Sequence, residues 1–81
     1  MAKPSPTYNG APQLIALGTA IREIRIKQGL SQEALANQIG IDRSYMGGIE
    51  RGEHNIALMN LTKISEALNL RPSELLKKAK L

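Results

Sequence analysis

Between Ser31 and Gly52 the chain writes two short amphipathic segments with only Gly40, Ile41 and Asp42 between them. In the first, Ser31 can cap a helix through its hydroxyl, and Leu35 and Ile39 follow at a helical step as its inner face. In the second, Asp42 stands at the N-cap position, Met46 and Ile49 form the buried pair, and the helix runs to Arg51 before Gly52 closes it. Two helices this short, joined by so tight a turn, cannot lie antiparallel. They cross steeply and leave one side of the second helix facing outward. The pattern is that of a helix-turn-helix spanning Gln32 to Arg51. Ala36 is small where the helices approach each other, and Gly40 can take the positive φ that the turn needs at no steric cost.

The rest of the chain reads as a scaffold for that pair. Leu14, Leu17, Ile21 and Ile24 recur at three- and four-residue steps and predict a helix from Gln13 to Gln28, stopped by Gly29. The stretch ALMNLTKISEALN predicts another, with Leu58, Leu61, Ile64, Ala67 and Leu68 as its stripe and Asn69 as a left-handed cap. A last short helix begins at Pro72, a residue suited to a first helical turn, and carries Leu75 and Leu76. Eighty-one residues can close only one core, and the apolar residues are mostly Leu, Ile, Ala and Met, without Phe or Trp. An all-α, five-helix domain over residues 12–81 is expected. Residues 1–11 are rich in Pro, Ser, Thr, Asn and Gly, and read as a flexible N-terminal tail.

Charge and chemistry narrow the function. Eleven Lys and Arg against seven Asp and Glu leave a net charge of +4, which suits a polyanionic partner. There is no cysteine, so disulfides and thiolate metal sites are excluded. His54 is the sole histidine, expected as an exposed loop residue. The carboxylates are scattered as on solvated helix faces, and neither an acid/base pair, a nucleophile motif nor a phosphate loop can be assembled. No enzyme, metal, cofactor or small-molecule ligand is therefore expected. Only Tyr8 and Tyr45 could stack on unpaired bases, so duplex DNA is a better partner than a single strand. No run of residues has the length and apolarity of a membrane span, and a soluble, cytoplasmic protein is expected.

The outward side of the second motif helix carries Asp42, Arg43, Ser44, Tyr45, Gly47, Gly48 and Arg51. Arg43, near the helix N-terminus, can pair in two-pronged fashion with guanine O6 and N7, and Ser44 and Tyr45 can also reach bases. Gln32 is placed to meet a phosphate together with its own helix N-terminus, and Arg51 and Asn55 would hold phosphates at the far edge. Each glycine of Gly47-Gly48 costs about 1 kcal/mol inside a helix relative to alanine. Either close approach to DNA or tight packing against the first motif helix could offset it. Lys77, Lys78 and Lys80 suit the C-terminal end of a helix dipole as readily as phosphate contact.

The segments GLSQEALANQIGIDRSYMGGIERGEHNI and ALNLRPSELL resemble the lambda-repressor-like helix-turn-helix family, also called the XRE or Cro type, over residues 13–77. In size and in the RSYMGGIERG segment the chain looks most like the controller proteins of restriction-modification systems. The resemblance implies a five-helix fold and a homodimeric transcription regulator on a two-fold symmetric operator. It also implies Gln32 as a phosphate contact, Arg43 and Ser44 as base readers, Arg51 and Asn55 as backbone contacts, and Arg25 with Glu50 as a structural ion pair; Tyr45 and Gly47 are expected base contacts from their place on the outward face. Leu70, Leu75 and Leu76 exceed what a small core can cover and are the expected dimer interface, setting the two reading helices about 34 Å apart. An antitoxin or anti-repressor, acting mainly on another protein, is the alternative; such a protein would need an extended or disordered segment of its own to fold over its partner, and the short tail at 1–11 is poorly suited to that.

Overall fold

The computed structural model describes residues 3–81. Five helices follow one another: α1 (Pro12–Lys27), α2 (Gln32–Ile39), α3 (Arg43–Glu50), α4 (Leu58–Ala67) and α5 (Pro72–Lys78). No strand occurs among the described residues. The architecture is the all-α, five-helix arrangement expected, and it matches the boundaries to within a residue or two because caps and stops were written locally. Ser31 Oγ accepts the Ala34 N–H at 2.9 Å, and Gly40 ends α2 with φ 78° and ψ 32°. Asn69 adopts φ 61° after α4. Asp42 occupies the N-cap position of α3 in extended backbone, yet its carboxylate makes no capping hydrogen bond.

One core joins all five helices. Leu17, Ala20 and Ile21 of α1 meet Leu35 and Ala36 of α2, Met46 and Ile49 of α3, Leu61 and Ile64 of α4, and Leu75 of α5. α1 comes so close to α3 that a Cβ at Gly18 would stand 2.4 Å from the main-chain oxygen of Ile49 and 2.5 Å from that of Glu50. Gln28 links the other end of α1 to α4, its Nε2 donating to the Leu68 carbonyl at 2.8 Å. That carbonyl is one that the end of α4 leaves without a partner in its own helix.

Leu75 corrects the expected dimer surface. It is wholly buried in the core of its own chain and is not available to a partner, whereas Leu70 and Leu76 are half-buried against the core's edge. The apolar side chains left most open are Leu58 and Met59, 70% and 65% exposed at the start of α4. Of the expected tail, residues 1 and 2 lie outside the described residues, and the remainder leans on the turn after α3. The Ser5 N–H donates to the Glu53 carbonyl, and the Gly10 N–H to the Gly52 carbonyl, both at 2.8 Å.

Candidate nucleic-acid interface

Positions four apart on a helix share a face. Arg43, Gly47 and Arg51 therefore line up along α3 and its C-cap, with Ser44 beside them. α2 enters next to this row, because the tight turn at Gly40 brings its first residue, Gln32, alongside the middle of α3. Gln32, Arg43, Ser44, Gly47 and Arg51 line one concavity of about 300 Å³, whose rim is completed by Pro4, Glu53 and His54. Five of the residues singled out from sequence thus meet in one place. Asn55 is exposed in the following loop and does not line it.

Tyr45 does not join them. Its ring packs edge-on against His54, with centroids 4.7 Å apart and planes at 66°, and its hydroxyl accepts a hydrogen bond from Asn60 Nδ2 at 3.3 Å. It braces α3 against α4 and the loop between them, rather than standing out with Arg43 and Ser44. His54 is likewise not the exposed loop residue expected: it is only 8% exposed. Gly48 explains why. A Cβ there would lie 2.4 Å from His54 Nε2 and 2.6 Å from Cδ2, so the imidazole occupies the space that a side chain would need. The helix cost of Gly48 is offset by this ring, not by α2. At Gly47 a Cβ would stand 3.0 Å from Arg51 Nη1 and 3.5 Å from Gln32 Oε1, so this glycine keeps the floor of the concavity open. Both glycines are buried.

Beneath the concavity lies a buried ionic cluster. Arg25 donates from Nε to Glu50 Oε2 at 2.7 Å, from Nη2 to Glu50 Oε1 at 3.0 Å, and from Nη1 to the Leu30 carbonyl at 2.8 Å. Gln32 Nε2 donates to Glu50 Oε1 at 2.9 Å. The Arg25 and Glu50 side chains retain 9% and 2% of their exposure. These bonds lock the end of α1, the start of α2 and the end of α3 together. Gln32 is thereby fixed in orientation, and the second hydrogen of its amide and its Oε1 are left for an outside partner.

A second pair stands in the open. Arg51 donates from Nε to Glu53 Oε2 at 2.7 Å and from Nη2 to Glu53 Oε1 at 3.3 Å. The hydrogen bond from Arg51, before the smaller effect of its charge, holds the Glu53 carboxyl below the usual carboxylate range, and the same bond raises Arg51. Neither Glu53 nor His54 figured among the expected site residues, though both line the concavity. The two described ion pairs do not include Arg43, whose guanidinium is exposed and unneutralised. Among the described residues no group of three or more His, Asp or Glu could hold a metal ion, and no helix is long and apolar enough to cross a membrane.

Residues 21–75 match the helix-turn-helix family. The chain is 43% identical over 63 residues to the control protein C.BamHI of Bacillus amyloliquefaciens, an alignment spanning 76% of this chain and 78% of that protein. It is 45% identical over 62 residues to the control protein C.MunI of a Mycoplasma species, spanning 75% and 84% of the two chains. The crystal structure of the restriction-modification controller protein C.AhdI from Aeromonas hydrophila superposes with a TM-score of 0.74 at 50% identity, over 76% of this chain and 94% of that one. With its helix pair and these relatives in agreement, the chain belongs to the lambda-repressor-like, XRE-type helix-turn-helix family of transcriptional regulators, and not to a family of enzymes.

Proposed function

We propose that this protein binds double-stranded DNA sequence-specifically as a homodimer on a two-fold symmetric operator, as a controller of a restriction-modification system. The observation that carries the reading is the convergence of Gln32, Arg43, Ser44, Gly47 and Arg51, from two helices, on one open concavity in which Arg43 has no acidic partner among the described residues. The controller role is supported by relatives that are themselves named control or controller proteins.

In this mechanism α3 enters the major groove. Arg43 and Ser44, in its first turn, read base edges, and the missing side chain at Gly47 leaves room for the Arg51 and Gln32 side chains that meet above it. Gln32, its orientation set by Glu50, and Arg51 hold phosphate oxygens from the same concavity, and Asn55 holds a phosphate from the loop beyond it. Tyr45 acts from behind by bracing α3. Leu70 and Leu76, without Leu75, form the contact between protomers.

Arg43→Ala is expected to reduce discrimination between a selected site and random duplex by about 1–3 kcal/mol while leaving most of the affinity for random duplex intact. Gln32→Ala is expected to weaken binding to every sequence alike. Titration of each variant against both duplexes by fluorescence anisotropy checks this. Equal losses on both duplexes for Arg43→Ala would remove it from the readers.

A further inference from the structure

Glu53 is the one carboxylate lining a concavity otherwise suited to phosphate, and it is built into place. Its N–H donates to the Gly48 carbonyl at 2.9 Å and its own carbonyl accepts the Ser5 N–H at 2.8 Å, so the backbone is tied on both sides. Its side chain takes the Nε and Nη2 edge of Arg51. The remaining nitrogen, Nη1, lies over Gly47 beside Gln32, on the floor of the concavity. A guanidinium is a planar fork with five donors, so fixing one edge fixes the direction of the others.

We infer that Glu53 is a specificity-determining positioning residue: it aims the free donors of Arg51 at one phosphate while placing a negative charge among the phosphates of any duplex that binds. The inference rests on the DNA-binding reading above. The two effects act differently on cognate and random duplex. Nonspecific binding is almost wholly electrostatic, so the carboxylate weakens it in full. On the cognate site the register puts a phosphate where Arg51 already points, and the orientation supplied by Glu53 compensates for its charge. Discrimination rises because the wrong complexes carry the repulsion without the gain.

The test is Glu53→Gln, with Glu53→Asp and Glu66→Gln beside it. Binding of each full-length variant is measured against random duplex and against a duplex selected by the wild-type protein, over a series of salt concentrations. Glu53→Gln is expected to bind random duplex roughly three- to tenfold more tightly at low salt, with little change on the selected duplex. Its salt dependence on random duplex should steepen by about 0.9 in log–log slope, the amount for one more neutralised phosphate. Glu53→Asp keeps the charge and should retain the wild-type affinity for random duplex. Glu66→Gln removes an equal charge outside the concavity and should gain less than about twofold. A gain for Glu53→Gln no larger than that for Glu66→Gln, or an equal gain on both duplexes, overturns the role of Glu53. Failure of the wild type to bind any duplex overturns the DNA-binding reading itself, and the inference with it.

Discussion

Glu50→Ala is expected to lower folding stability by about 3–5 kcal/mol, the range for removing one partner of a buried ion pair. Glu50 accepts three hydrogen bonds, two from Arg25 and one from Gln32, and its side chain is almost wholly enclosed. Without it the Arg25 guanidinium stays buried with the Leu30 carbonyl as its remaining partner, and Gln32 loses its orientation. Small domains have only about 5–15 kcal/mol to lose. At roughly 4–8 °C per kcal/mol for a chain of this size, the midpoint of thermal unfolding should fall by at least about 12 °C. Far-UV circular dichroism against temperature measures it. A midpoint within a few degrees of wild type would mean that the cluster is not holding α1, α2 and α3 together.

Gly18→Ala is the second large effect, and its sign runs against helix propensity. Alanine in an exposed helix interior would stabilise by about 0.5–1 kcal/mol relative to glycine. Here the added Cβ would stand 2.4 Å and 2.5 Å from two main-chain oxygens at the end of α3, and backbone cannot swing aside as a side chain can. Overpacking of this kind costs about 1–3 kcal/mol, so a net loss is expected, together with a displaced α3 and weaker DNA binding. Thr19→Ala, at the exposed neighbouring position, should stay within about 0.5 kcal/mol of wild type. Urea unfolding of both variants separates the cases. A Gly18→Ala protein as stable as Thr19→Ala would contradict the close approach of α1 to α3.

The helices were legible because their signals are local. Apolar steps, Ser31, Gly40, Asn69 and Pro72 mark starts and stops within a few residues of where they act, and the family resemblance indicated Arg25 and Glu50 as partners, which the structure joins. What was misread depends on distant or reversed chain. The glycine pair was recognised as costly, but the group pressing on Gly48 is His54, which returns through the turn at Gly52. Arg51 and Glu53 are two apart, a spacing that points side chains away from each other on a helix. They meet because Gly52, at φ 79°, turns the chain back between them. A glycine between opposite charges just past a helix end was the available signal. Tyr45 reads as outward-facing by its neighbours, though one residue of helix rotates a side chain by about 100° and carries it toward His54 and Asn60. Leu75 reads as surplus when apolar content is set against the size of the core, but α5 packs on both α1 and α4 and encloses it.

On the proposed function, the turn at Gly40 presents the Arg43 face of α3 to duplex DNA, one protomer per half-site. Selection of binding sites from a pool of random duplexes at moderate salt tests it most directly. Two related half-sites in opposite orientation are expected to be enriched, with centres about 10 base pairs apart or a multiple of that. A pool that stays random after repeated rounds, with binding no stronger than that of an unrelated protein of equal charge, would contradict it.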